Sequence, residues 1–237
     1  MGTNSKKILI VDDEVKIVEF TEVYLINSGY EVYKAYTGKE ALDIFHSNKV
    51  DLILLDLMLP DISGEQICNE IRKVSQVPIL MLTAKSGDEN IIHGLNIGAD
   101  DYMTKPFSPR QMIARVNALL RRVPEETSHN KQEKEEILSF YNDDLILKHS
   151  DFTVYKSGVN VNLTPSEFKL LYTLARRPNK VFTREELISI AFDDDYLGYD
   201  RTIDSHIKNL RAKIEDNPKE CRYILTVRGI GYKFGGE

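Results

Sequence analysis

Tryptophan is absent from the 237 residues, and cysteine occurs only twice, as Cys68 and Cys221. Two thiols far apart in the chain, with no histidine or second cysteine at ligand spacing, exclude a disulfide framework and a zinc site and read as free thiols. Long apolar runs are missing too. No window reaches the roughly 18 apolar residues that a membrane span needs. Lys6-Lys7 leads into four apolar residues before Asp12, too few for a secretory core. The expected location is the cytoplasm, with no membrane partner. Nor is there a strong charge of one sign: 31 basic residues face 37 acidic ones, for a formal charge of -6. Residues 1–122 hold 14 basic and 17 acidic side chains, 123–136 hold two and five, and the remainder holds 15 of each. A carboxy-terminal half without net charge binds nucleic acid only through a local basic face, weakly per copy and with a strong salt dependence.

What is present is organised as two domains, each long enough for a core of its own. Apolar strands alternate with helical periods through residues 6–122, the pattern of βαβ units around a parallel sheet. Strands are expected near 7–11, 30–34, 51–55, 78–82 and 101–104, with helices such as Val15 to Ser28 and Gly38 to Ser47 between them. Residues 1–122 thus read as an α/β domain with a doubly wound, five-stranded parallel sheet of flavodoxin-like type. From Val123 to Glu136 apolar periodicity gives way to Pro, Glu, Ser, Asn and Lys, which predicts a mobile linker. Over 137–237 short β segments follow, at Leu145-Ile146-Leu147, Thr153-Val154-Tyr155 and Val159 to Leu163, with a turn at Lys156-Ser157-Gly158. Thr164-Pro165-Ser166-Glu167 and Thr183-Arg184-Glu185-Glu186 are capping boxes that open two helices. A third helix from Arg201 to Ile214 and a terminal hairpin, Tyr223 to Val227 and Tyr232 to Phe234, complete an α+β winged helix-turn-helix pattern.

Functional groups of an open parallel sheet gather at the carboxyl ends of its strands, beside a topological switch point. Asp12-Asp13 closes the first expected strand, Asp56 the third and Thr83 the fourth, and Lys105 follows the fifth. Any one of these acids alone is an ordinary turn or cap residue. Three converging carboxylates repel one another unless a hard cation neutralises them, and Mg2+ suits an oxygen-only donor set. In such a Mg2+-dependent pocket Asp56, held ionised, acts as a nucleophile on a phosphoryl donor. Lys105 then supplies a fixed positive charge, and Thr83 a hydroxyl, for the new phosphoryl oxygens.

The segments Ile10 to Glu14, Leu54 to Pro60, Leu82-Thr83-Ala84 and Gly98 to Phe107 closely resemble the receiver domain of two-component response regulators, and nearly the whole chain resembles their OmpR/PhoB subfamily. The resemblance implies that a histidine kinase phosphorylates Asp56. It further implies that Asp13, Asp56 and the Met58 carbonyl bind Mg2+, with Asp12 assisting through water. Thr83 and Tyr102 look like the switch pair, although Tyr102 by itself reads as a packed aromatic. Phosphorylation in this subfamily favours a symmetric dimer through the last two receiver helices and the strand between them. Asp101 with Arg115, and Asp100 with Arg122, fit two of its cross-protomer ion pairs; alone, all four read equally as solvated charges. A third pair, Lys with Glu in relatives, is replaced by Ile91 and Gln111. Losing both partners strands no charge, and the expectation is apolar contact at Ile91 with altered dimer specificity.

On the Arg201–Ile214 helix, Ile203, Ile207, Leu210 and Ile214 define an apolar face. The other faces carry Arg201, Thr202, Ser205, His206, Lys208, Asn209, Arg211 and Lys213, which suits either solvation or a phosphate-binding surface. The segment Thr226 to Tyr232 adds Arg228 at a hairpin tip, where a minor groove accepts it. Both segments resemble the recognition helix and wing of OmpR/PhoB effector domains. That implies phosphate contacts from Arg201, Thr202, Arg211, His206 and Lys213, and base contacts from Ser205 and Asn209. Relatives often carry Arg where this chain has Asn209. Arg favours guanine and Asn pairs with adenine, so the expected half-site leans to A·T. The loop Phe192 to Tyr199, with three consecutive Asp residues, reads as a solvated turn or as a contact for RNA polymerase, which it touches in relatives.

Two other readings compete with a phosphorylation-switched dimeric transcription factor. One is a haloacid-dehalogenase-like phosphatase, which needs a general acid two residues after its nucleophile; Met58 stands there instead, so no enzyme activity is expected. The other is a phosphorylation-independent DNA-binding regulator, against which the intact set of Asp13, Asp56, Thr83 and Lys105 argues.

Overall fold

Strands β1 (Lys7–Val11), β2 (Glu31–Ala35), β3 (Leu52–Asp56), β4 (Ile79–Thr83) and β5 (Asp101–Thr104) form an all-parallel sheet of order β2-β1-β3-β4-β5. The structure is a computed structural model that describes residues 5–84, 97–121, 136–192 and 201–236. Ile91, Arg122, the 193–199 loop and the expected linker apart from Glu136 lie outside the described residues, as do the side chains of Arg201 and Thr202. Helices α1 (Val15–Asn27), α2 (Gly38–Ser47), α3 (Gly64–Arg72) and α4 (Pro109–Leu120) accompany the sheet.

Strands covered on both faces read as continuous apolar runs, and these do. Leu9, Val11, Ile53, Leu55, Ile79 and Met81 bury one face, while Ile8, Ile10, Leu52, Leu54, Leu80 and Leu82 bury the other. The strand order reverses at β1, which has β2 on one side and β3 on the other. A crevice therefore opens at the carboxyl ends of β1 and β3, where Asp12, Asp13 and Asp56 sit.

The chain divides into two compact units, Met1–Leu120 and Arg121–Glu237. In the second, β6 (Ile137–Phe140), β7 (Leu145–Lys148), β8 (Thr153–Lys156) and β9 (Val159–Asn160) form an antiparallel sheet. Ser157 and Gly158 both take positive φ (50° and 78°) in the two-residue turn joining β8 to β9. Helices α5 (Pro165–Ala175), α6 (Arg184–Phe192) and α7 (Arg201–Ile214) follow, and β10 (Phe182–Thr183), β11 (Ile224–Val227) and β12 (Gly231–Phe234) make a second sheet of order β10-β12-β11. Both expected capping boxes are formed, Thr164 with Glu167 and Thr183 with Glu186. Ile203, Ile207, Leu210 and Ile214 are all buried against Phe168, Leu171, Tyr223 and Phe234. Strands β6 and β10 have no counterpart in the sequence reading: β6 exposes Ile137, and β10 is two residues long. Glu136, expected at the end of the linker, is held in the second unit by the Tyr172 hydroxyl and by Arg176 Nε at 3.2 Å.

Candidate functional site

Carboxylate oxygens of Asp12, Asp13 and Asp56 lie within 4.8 Å of one another. Asp12 and Asp56 are buried and Asp13 is exposed, so the cluster is reached from the Asp13 side. The Lys105 ammonium stands 2.6 Å from Asp12 Oδ2, 2.6 Å from Asp56 Oδ2 and 3.8 Å from Glu14 Oε1. Burial pushes the Asp12 carboxyl up, against the pull of Lys105. Burial also works to lower the Lys105 ammonium, but its hydrogen bonds to Asp12 and Asp56 outweigh that and hold it above its ordinary value. Three acids against one ammonium leave a negative, oxygen-only donor set, and that chemistry fits Mg2+.

Backbone geometry aims the central acid. The Met58 N–H donates to Asp56 Oδ1 (3.1 Å), leaving Oδ2 to Lys105. After Asp56 the chain curls back so tightly that a Cβ on Gly64 would lie 2.2 Å from the Asp56 carbonyl oxygen. Only glycine fits there, and a Ser63–Gln66 capping box starts α3 at that point. Sequence reasoning passed over Gly64, although Ser63 and Gln66 around it carry a helix-start signal. The Lys105 N–H donates to the Thr83 carbonyl (2.7 Å) and joins the ends of β4 and β5. Met81 pairs with Tyr102 and Thr83 with Thr104, so Thr83 and Tyr102 lie on one face of the sheet. Both are buried.

In the second unit a polar cluster joins α7 to the terminal hairpin. Asp204 Oδ1 accepts from Arg184 Nε (2.7 Å) and from the Tyr232 hydroxyl (2.8 Å). Arg211 donates to the Ile224 carbonyl (2.7 Å) and to Thr226 Oγ1 (2.8 Å). The guanidinium groups of Arg184 and Arg211 lie 5.3 and 5.5 Å from the Tyr232 ring centre. A Cβ on Gly231 would meet the Phe182 carbonyl oxygen at 2.0 Å, so the hairpin also seats against β10 at a position that only glycine allows. Lys208 is exposed on α7, Asn209 is half-buried, and Arg228 lies in the turn between β11 and β12.

Comparison with known proteins matches these two units separately. Residues 8–117 match the response regulator receiver domain, and residues 158–234 match the transcriptional regulatory protein, C terminal. Over its whole length the chain is similar to the response regulator DrrB, a Thermotoga maritima OmpR/PhoB homologue, at 35% identity, covering 98% of this chain and 100% of that one, with a TM-score of 0.51. The chain is an OmpR/PhoB-type response regulator. A RitR mutant structure is similar at 25% identity, with a TM-score of 0.74, covering 98% of this chain and 100% of that one. As a two-component response regulator, the protein couples a receiver domain to a DNA-binding transcription regulatory domain. Receiver domains bind Mg2+ in an acidic pocket, and this one holds the acidic cluster to do so.

Several residues with expected roles in this response regulator make contacts within the chain. Asp100 is fully buried, with its carboxylate on Arg72 NH2 (2.8 Å) and on the Ile79 N–H (3.0 Å), so it is not at hand to pair with Arg122 of a second copy. Asp101 and Arg115 pair within one protomer at 2.7 Å. Gln111 is exposed as expected. Ser205 and His206, for which the resemblance implied base and phosphate contacts, are 3% and 1% exposed. Arg211 donates to the Ile224 carbonyl and to Thr226 of the hairpin, and Lys213 pairs with Glu167 (2.6 Å), while both side chains stay partly exposed. Lys208, Asn209 and Arg228 are further DNA-facing candidates among residues with described side chains.

Proposed function

We propose that Asp56 is the phosphoacceptor of this response regulator and that its phosphorylation promotes receiver dimerisation and binding of repeated DNA half-sites in the cytoplasm. The observation that carries the reading is the cluster of Asp12, Asp13 and Asp56 within 4.8 Å, with Lys105 2.6 Å from two of its members. Asp13, Asp56 and the Met58 carbonyl would hold Mg2+, with Asp12 assisting through water, and the ion would supply positive charge to the phosphoryl oxygens. An Asp56 carboxylate oxygen bonds to phosphorus as the P–N bond of the kinase phosphohistidine breaks, and the imidazole leaves with the electron pair and takes up a proton. Lys105 then moves its hydrogen bond from the carboxylate to the new phosphoryl oxygens, and the Thr83 hydroxyl joins it; Tyr102, on the same sheet face, is the second member of the switch pair. Exposed apolar side chains on α1, the helix that follows Asp12 and Asp13, support docking of a kinase: Val15, Phe20, Val23, Tyr24 and Ile26. Met58 at the position of a general acid supports a long-lived phosphoryl group rather than turnover.

Dimerisation would use the surface of α4 and β5, with Gln111 and, outside the described residues, Ile91 and Arg122. The 193–199 loop is the candidate contact for RNA polymerase. Sedimentation with Mg2+, with and without beryllofluoride as an acyl-phosphate mimic, tests the reading. Wild type is expected to pass from monomer to dimer and Asp56→Ala to remain a monomer. Equal DNA binding and regulation by Asp56→Ala would instead establish the phosphorylation-independent regulator.

A further inference from the structure

Winged-helix domains that read two grooves at once need the wing held at a fixed offset from the recognition helix. A loosely tethered arginine at a hairpin tip loses most of its contact to chain entropy. In this protein a polar cluster adds to the apolar packing of α7 on the hairpin. Asp204 and Arg211 lie seven residues apart on α7, two turns along one side of the helix. Asp204 takes the Tyr232 hydroxyl from β12 and the Arg184 guanidinium from the start of α6, and Arg211 grips the Ile224 carbonyl and Thr226 Oγ1 of β11. Each strand of the hairpin is thus held by a different residue of α7. The hairpin turn that carries Arg228 begins two residues after Thr226 and ends two residues before Tyr232. Tyr232 is 5% exposed, while Asp204 is half-buried and reaches it from α7.

We propose that Asp204 and Tyr232 are positioning residues for DNA binding: they lock the wing to the recognition helix, so that Arg228 and the Lys208–Asn209 face engage one half-site together. The proposal rests on the DNA-binding reading above. Burial, then the Asp204 carboxylate, push the Tyr232 phenol up to about 12, so its hydroxyl stays a donor throughout the working pH range. The part of Arg211 is to complete the clamp from the other strand, which accounts for its guanidinium facing the hairpin.

The test uses the full chain with Mg2+ and beryllofluoride and the duplex that wild type selects from a random library. Affinity is measured across a salt series for wild type, Tyr232→Phe, Asp204→Asn, Arg228→Ala and the Tyr232→Phe/Arg228→Ala double variant, with thermal unfolding of each. Tyr232→Phe removes one hydroxyl and keeps the ring, so unfolding near the wild-type temperature is expected. Its affinity should fall about tenfold, and the salt slope should drop by about one, as for loss of one phosphate-neutralising charge. The double variant should bind no more weakly than Arg228→Ala alone, because the hydroxyl acts through the wing. Additive losses, or a wild-type affinity and slope in both Tyr232→Phe and Asp204→Asn, would overturn the clamp while leaving the DNA-binding reading intact. Failure of wild type to select any sequence would sink that reading itself, and the clamp with it. Should Tyr232→Phe unfold early, Asp204→Asn, which loses both the charge and the second acceptor facing Arg184, decides: weaker binding with a lower salt slope supports the clamp, and wild-type values overturn it.

Discussion

Gly64 shows how a residue without a side chain shapes the acceptor site. Its missing Cβ lets α3 begin against the Asp56 carbonyl, which holds the Leu57–Ser63 turn close enough for the Met58 N–H to reach Asp56 Oδ1. Gly64→Ala is expected to destabilise the receiver by about 1–3 kcal/mol through overpacking, measured as a lower urea midpoint at unchanged m-value. A midpoint equal to that of wild type would mean that the turn relaxes freely. Lys105 illustrates the opposite case, since its place beside the acids was legible from its position after a strand end. Two carboxylates within 2.6 Å of one ammonium make that residue an internal counter-ion for a pocket that would otherwise repel itself.

Among the elements, the carboxyl end of α3 is strapped to the entrance of β5 by one side chain. Arg72 donates to the carbonyls of Gly98 (2.8 Å) and Val77 (2.6 Å) and to the buried Asp100 carboxylate. Removing it in Arg72→Ala strands a buried charge and should cost about 3–5 kcal/mol. Asp100→Asn, which keeps an acceptor for the Ile79 N–H, should cost clearly less; chemical denaturation of both variants checks the order. This strap also marks where sequence reading ended. The five receiver strands were legible because a parallel sheet buried on both faces writes itself as apolar runs, and α5 and α6 because capping boxes are local. The pairing of Arg72 with Asp100 spans 28 positions, and no periodicity announces it. Asp100 was therefore read as a surface charge awaiting a second copy. The burial of Ser205 and His206 was not legible for a related reason: an apolar-face count places polar residues towards solvent, whereas both pack inside the effector domain. Strand β10 exists only because β12 pairs with it, a long-range contact that two residues cannot signal.

For the whole molecule, the charge ledger and the fold agree on a regulator whose hold on DNA comes from a few cations. The chain carries a formal charge of -6, and Arg211 and Lys213 of its recognition helix are engaged within the effector domain. One copy should therefore bind weakly and two should bind cooperatively. Footprinting of the beryllofluoride-activated protein is expected to protect two half-sites about 10–11 base pairs apart, leaning to A·T at the position read by Asn209. A single protected half-site at saturation would count against dimeric binding, and a guanine at that position against the role of Asn209.

The recognition helix divides its polar residues between two employments. Asp204, Arg211 and Lys213 are tied to the hairpin and to Glu167, whereas Lys208 stands exposed. A substitution at Lys208 leaves each of those ties in place, whereas one at Asp204, Arg211 or Lys213 breaks a tie within the effector domain.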